Sequence, residues 1–280
     1  MNAVTPPVRI RRFQGQGLEI VADEAGPEGA TPVLLLHGGG QTRAAWGGAL
    51  AEGARRGFHM LSADLRGHGE SGWAADGDYA MTAHAADIAG IAQALGRALF
   101  LVGASLGGMA GLAYAAGGGP LAGLVLVDIA PTVNTAGTDK ILAFMHSAPG
   151  GFATLDEAAD AVAAYLPRRP RPKDTSGLMK NLRLREDGRL HWHWDPRMFS
   201  EGRGPRDTGG LREAARGLAV PTLLVRGRLS DVLSQDGVDD FLGLVPHAEF
   251  ADIAGADHMV AGDRNDAFND AAFAFLEKHR

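Results

Sequence analysis

Cysteine is absent from the 280 residues, which excludes disulfides, thiol nucleophiles and cysteine-ligated metal sites. Lysine is scarce: 4 of the 27 basic residues are lysine and 23 are arginine, a bias read as composition without functional content. An excess of positive charge is also missing. The formal net charge is −6, which argues against nucleic acid or an anionic membrane surface as the main partner. The first 13 residues hold Pro6, Pro7 and three arginines but no apolar run of signal-peptide length. No secretory signal is read there, and a cytoplasmic protein is expected. Residues 98–127 carry no charge, long enough to raise a membrane span. They also hold eight glycines and Pro120, and both ends (LFLVG and LVLVD) are β-prone. Two buried strands joined by a small-residue helix are therefore expected, with no membrane partner.

Glycine is abundant, 40 of 280, without a Gly-X-Y period, so many tight turns are expected rather than a collagen-like repeat. Short apolar runs bounded by Gly, Pro or Asp recur at 33–36, 59–63, 99–103, 123–128, 221–226 and 248–252. Their unbroken apolar character suits strands of a parallel sheet covered on both faces. Helix-like segments alternate with them at 46–56, 81–96, 106–116, 235–244 and 263–279, which indicates an α/β doubly wound architecture. Two amphipathic runs before residue 25, VRIRRF and LEIVADE, alternate as antiparallel edge strands do. The alternation breaks once. The segment 131–218 carries helix-like runs at 141–146 and 155–165, then a Pro/Arg stretch at 167–174. A hairpin pattern around Asp187-Gly188 follows. It reads as an inserted cap or lid between two pieces of a core, 1–130 and 219–280. The Pro/Arg stretch reads as a solvated, proline-stiffened loop.

The strongest chemical signal is Gly103-Ala104-Ser105-Leu106-Gly107-Gly108, between an apolar strand and a helical run. Gly-x-Ser-x-Gly closes a sharp strand-to-helix turn that leaves the serine strained and exposed. The helix start adds backbone N–H groups and partial positive charge beneath a developing oxyanion. Serine needs a base. His258 is the best placed of ten histidines, in the loop between the last apolar strand and the terminal helix. The orienting acid should lie between them in sequence. Asp231, after the strand TLLVRG, is the expected choice because its longer loop can reach the imidazole. Asp128, ending GLVLVD, is the alternative and otherwise a supporting or hinge residue. The run His37-Gly38-Gly39-Gly40 follows the strand VLLL, and its glycines leave backbone amides free to face a carbonyl oxygen. The expected oxyanion hole is the N–H of Gly39, or its neighbour Gly40, with the N–H of Leu106. A phosphate loop is disfavoured, because neither Gly-x-Gly-x-x-Gly nor the Walker spacing occurs.

Together HGGG, DLRGHGES at 64–71, GASLGG, RGRLSD and DHMVAGD resemble the α/β-hydrolase superfamily, in order and along nearly the whole chain outside the insertion. The pattern is similar to capped esterases and to relatives often labelled epoxide-hydrolase-like or non-haem haloperoxidase-like. The resemblance implies a mostly parallel eight-stranded sheet flanked by helices, no cofactor, and Ser105, His258 and Asp231 as nucleophile, base and acid. It also implies that Asp64, Arg66 and His68 tie a strand end beside the site. Serine at the elbow, where dehalogenases and epoxide hydrolases carry aspartate, suits attack on a carbonyl. Leu106 stands where perhydrolase-type relatives often carry methionine, and Asp257 where glycine commonly precedes the base.

In the insertion, His191-Trp192-His193-Trp194 alternates, placing both histidines on one face of a strand and both tryptophans on the other. With no cysteine, a metal site is disfavoured against an apolar roof whose histidines are hydrogen bonded or outward. Trp194, Met198 and Phe199, with Gly40 and Trp46, are candidate pocket residues. The sequence therefore points to a serine hydrolase of a carboxylic ester, lactone or related acyl substrate of small-molecule size. C–C bond hydrolysis, lyase or perhydrolase chemistry on the same three residues, or a non-catalytic ligand-binding protein, are the alternatives.

Overall fold

The computed structural model describes residues 7–167, 171–199, 208–258 and 265–280. Eight strands form one sheet: β1 (Arg9–Gln14), β2 (Glu19–Ala25), β3 (Pro32–Leu36), β4 (His59–Ala63), β5 (Leu99–Ala104), β6 (Leu121–Val127), β9 (Thr222–Gly227) and β10 (Glu249–Ile253). Their spatial order is β1-β2-β4-β3-β5-β6-β9-β10. The alternating runs before residue 25 form the antiparallel edge, with β2 antiparallel to both β1 and β4. Every later pairing is parallel. The central strands are apolar throughout because both faces are covered, and β3, β4 and nearly all of β5 and β6 are buried.

Two apolar layers sandwich the sheet. On one side α2 (Met81–Leu95) and α3 (Leu106–Ala116) cover it with Ile88, Ile91, Ala110 and Leu112. On the other, α1 (Gly47–Arg55) and α8 (Asn265–Lys278) bring Leu50, Phe268, Phe273 and Leu276 against Val33, Phe100 and Val125. Each fully buried side chain of this size contributes about 1.5–3 kcal/mol before entropy is counted. The uncharged stretch 98–127 is consumed by β5, α3 and β6. No described helix is long and apolar enough to cross a membrane.

Between β6 and β9 the chain leaves the sheet. Helix α4 (Thr135–Met145) is capped by Asn134, whose side chain accepts the Ala136 N–H, and α5 (Leu155–Tyr165) by Thr154, which accepts the Glu157 N–H. The Asp187-Gly188 signal marks a hairpin of β7 (Leu182–Leu184) and β8 (Leu190–Trp192), with Gly188 at φ +73° in a five-residue turn. Met145, Phe152, Leu182, Trp192 and Trp194 make a small apolar cluster of their own. Helices α6 (Thr208–Arg216) and α7 (Gln235–Leu244) return to the sheet's side, where Leu211, Ala215 and Phe241 join the cluster that holds Leu112.

Candidate active site

Ser105 follows β5 directly and opens α3. Its backbone sits at φ 47°, ψ −114°, one of three described non-glycine residues with positive φ. Such strain persists only where surrounding structure enforces it. The enforcement is visible: a Cβ at Gly103 would lie 2.4 Å from the Gly107 carbonyl oxygen, and one at Gly107 would lie 2.5 Å from that of Leu36. Both glycines are needed for the turn to close.

Strand register places the next group. Ala104 pairs with Val127, and the Ser105 N–H donates to the Val127 carbonyl at 3.1 Å, so Ser105 and Asp128 leave adjacent strands side by side. Asp128, itself at φ 53°, is fully buried. Its Oδ1 accepts the Gly227 N–H at 3.0 Å, and its Oδ2 accepts the hydroxyl of Ser230 and the Nδ1–H of His258, the latter at 2.7 Å. A buried carboxylate with three donors has most of its hydrogen-bonding capacity met.

The expectation for Asp231 is corrected here: the carboxylate that meets His258 is Asp128. After β9 the chain turns tightly, with the Ser230 N–H bonded to the Gly227 carbonyl at 2.9 Å. Ser230 consequently faces inward and Asp231 outward. Asp231 is 54% exposed and pairs with Lys140 of α4 at 3.2 Å. Loop length gave Asp231 the reach, but the turn took its direction away.

The glycine loop after β3 lies against the serine: a Cβ at Gly38 would be 3.4 Å from that of Ser105. Its amides are not equivalent. The Gly38 N–H donates to Gln41 Oε1 at 3.0 Å, and the Gly40 N–H donates to His68 Nε2 at 3.1 Å. The Gly39 N–H has no partner among the described residues, nor does the Leu106 N–H at the first position of α3. Gly40 is thereby removed as an alternative donor, and Gly39 and Leu106 are left.

The candidate pocket residues divide. Met145 Sδ and the Trp194 ring lie 2.6 and 3.3 Å from where a Cβ on Gly40 would sit, so the insertion rests directly on this loop. Trp194 is stacked on Trp192, with ring centroids 4.9 Å apart. Met198 is buried at the seam, its methyl group 2.5 Å from a Cβ position on Gly67. Trp46 is a correction: the 3-10 turn Arg43–Trp46 directs it into the core, 5.5 Å from Phe268, on the α1–α8 side. The Phe199 side chain lies outside the described residues.

The 64–71 loop makes the ties that the family resemblance implies. Asp64 accepts the Arg43 N–H at 2.7 Å and the Glu70 N–H at 2.9 Å, while Arg66 makes a two-armed pair with Asp87 at 2.6 and 2.8 Å. Around it lie His37, His68, His84 and His193, all buried. Burial holds all four below the ordinary imidazole range, His84 and His193 at about 3. Among the described residues no group of three or more His, Asp or Glu side chains is arranged to hold a metal.

Comparison with known proteins identifies the family and the fold. The profile of the Alpha/beta hydrolase family matches residues 33–271. Esterase Rv0045c of Mycobacterium tuberculosis is 33% identical over 219 residues, covering 74% of this chain and 70% of that protein. The 2-(acetamidomethylene)succinate hydrolase of Mesorhizobium japonicum is 32% identical over 213 residues, 72% of this chain and 73% of that one. A solved structure of the M. tuberculosis esterase covers 97% of this chain and 93% of its own, with a TM-score of 0.78 at 25% identity. A solved E-2-(acetamidomethylene)succinate hydrolase covers 97% and 100%, with a TM-score of 0.84 at 23% identity, a likeness of fold. With its elbow serine, sheet order and sequence matches in agreement, this chain belongs to the alpha/beta hydrolase family and is an enzyme of that family.

Proposed function

We propose that the protein cleaves a carboxylic ester or lactone through an acyl-enzyme formed on Ser105. The observation that carries this reading is the contact between His258 Nδ1 and buried Asp128, beside a serine held at positive φ. Asp128 fixes the imidazole tautomer, leaving Nε2 to take the Ser105 proton as Oγ attacks the carbonyl carbon. The tetrahedral oxyanion is received by the N–H groups of Gly39 and Leu106. On collapse the alkoxide leaves with the proton from Nε2. Water, deprotonated by the same nitrogen, then releases the acid and restores Ser105. Similarity to an esterase supports the ester class. The insertion's apolar cluster, lying over Gly40, supports a substrate with a hydrophobic portion.

The test is labelling and turnover. The folded protein should react with a fluorophosphonate probe at Ser105 and hydrolyse p-nitrophenyl esters. Ser105→Ala should abolish both, lowering kcat by about 10⁴-fold or more. An unlabelled Ser105 would favour a ligand-binding role. Because a relative is named for 2-(acetamidomethylene)succinate, that compound belongs in the substrate panel. Turnover of it in preference to every ester would replace the ester assignment while leaving the serine mechanism in place.

A further inference from the structure

The loop that carries the Gly39 amide is held plane by plane by three histidines, one of them from the insertion. His37 Nδ1–H donates to the Gly38 carbonyl at 2.8 Å, and that carbonyl also accepts the Gln41 N–H at 3.1 Å. In a planar trans peptide the Gly38 C=O and the Gly39 N–H point in opposite directions. Holding that oxygen therefore aims the Gly39 N–H. The next peptide is held by His68 Nε2, which accepts the Gly40 N–H at 3.1 Å. The third is held by His193, whose Nε2–H donates to the Gly40 carbonyl at 3.3 Å.

Each ring works once as donor and once as acceptor. His37 Nε2 accepts the Leu65 N–H at 3.0 Å, His68 Nδ1 donates to the Arg66 carbonyl at 3.2 Å, and His193 Nδ1 accepts the Gly69 N–H at 2.7 Å. That assignment requires neutral imidazoles, as their burial favours. The rings touch in series, with centroids 4.9 Å apart for His37 and His68 and 5.7 Å for His68 and His193. His193 is the member that does not belong to the sheet's own loops. It joins the insertion to both the glycine loop and the 64–71 loop. A second tie lies close by, where the Tyr79 hydroxyl donates to Asp195 and the Asp195 N–H donates to the Gly67 carbonyl at 2.9 Å.

We infer that His193 is a positioning residue for the oxyanion hole. Through the Gly40 carbonyl, the seated insertion fixes the backbone that aims the Gly39 N–H. The Gly40 carbonyl shares its peptide with the Gln41 N–H that holds the Gly38 carbonyl, and glycine peptides rotate at little steric cost, so releasing Gly40 would leave the Gly39 N–H misdirected for much of the time. This rests on the serine reading above and adds that stabilisation of the tetrahedral intermediate depends on the His193 contact with the Gly40 carbonyl.

Two variants that each keep one arm of the ring separate this from simple loss of packing. In His193→Asn the amide stands near the ring's Nδ1 and can still accept the Gly69 N–H, but it falls short of Gly40. In His193→Gln the amide reaches the Nε2 position and can donate to the Gly40 carbonyl. Removing a whole oxyanion donor costs about 10²–10³-fold in kcat. A donor misdirected for most of the time should therefore cost about 10–100-fold. The expected result is that kcat for a p-nitrophenyl ester falls by that amount in His193→Asn and is largely restored in His193→Gln. KM should stay within about threefold in both, as expected for an interaction made only in the transition state. Tyr79→Phe, which loosens the other tie without touching Gly40, should lower Tm while leaving kcat nearly unchanged. Equal kcat values for the Asn and Gln variants, or a kcat loss in Tyr79→Phe matching that of His193→Asn, would overturn the inference. Those outcomes are distinct from failure of the serine mechanism, which Ser105→Ala reports.

Discussion

Asp128 and Asp231 both follow core strands that are neighbours in the sheet, β6 and β9, yet their surroundings differ completely. Asp128 is fully buried and receives hydrogen bonds from Gly227, Ser230 and His258. Asp231, one residue beyond Ser230, is half exposed, and its carboxylate meets only the ammonium of Lys140 among the described residues. The turn that brings Ser230 inward is what sends Asp231 out. A carboxylate's place in the chain therefore says less about its role than the direction its own turn gives it. A buried acid with fixed donors is suited to holding an imidazole in one tautomer.

The largest expected effect tests that contrast directly. Asp128→Asn keeps the shape but can offer His258 Nδ1 an N–H instead of an acceptor, favouring the wrong tautomer. It should lower kcat on the order of 10⁴-fold with little change in KM. Steady-state kinetics on an activated ester provide the measurement. Near-normal turnover in Asp128→Asn together with an inactive Asp231→Asn would transfer the acid role to Asp231 and overturn the comparison.

Much of this arrangement is legible in the sequence. The apolar runs at 33–36 and 59–63 fall on β3 and β4 to within a residue, because strands buried on both faces leave an unbroken apolar signature. Ser105 is legible because the glycines around it are steric requirements of one turn, and such requirements are local. The choice between Asp128 and Asp231 is not local. It depends on a hydrogen bond from Ser230 to Gly227 and on the register of β5 with β6, neither of which leaves a compositional trace. Trp46 misled for a related reason: an aromatic residue shortly after a site loop has the same appearance whether it lines a pocket or packs against Phe268. The alternation in His191-Trp192-His193-Trp194 did hold a usable signal, with both tryptophans on one side of the hairpin and His193 on the other. What it lacked was the partner, since Gly40 lies 153 residues away in the chain.

A middle-sized effect sharpens the contrast from the buried side. Ser230 donates its hydroxyl to Asp128 and accepts the N–H groups of Val232 and Leu233 at 3.0 and 3.2 Å. Ser230→Ala removes one of three donors from a buried carboxylate and loosens the turn. We expect kcat to fall about tenfold and stability by about 1–3 kcal/mol, the usual range for an unsatisfied buried group. Ser230→Thr, which keeps the hydroxyl, should restore kcat. An unchanged kcat in Ser230→Ala would reduce Ser230 to a turn residue.

The smallest effect is expected at Asp231 itself. Its pair with Lys140 joins two side chains that are each about half exposed, 49% and 54%, at 3.2 Å. Exposed pairs of this kind contribute about 0–1 kcal/mol, because solvent screens the attraction and two mobile side chains must be ordered. The backbone at this position does hold structure: a Cβ at Gly137 would come within 2.2 Å of the Asp231 carbonyl oxygen, so the backbone of α4 packs against the peptide while only its Lys140 reaches the carboxylate. Asp231→Asn leaves that peptide untouched. Its kcat/KM should remain within about twofold of the parent protein, and its Tm within about 2 °C for a chain of this size. A loss of kcat in Asp231→Asn that disappears in Lys140→Ala would mean that neutralising the acid frees a harmful ammonium. The carboxylate's task would then be to restrain Lys140, still without touching His258.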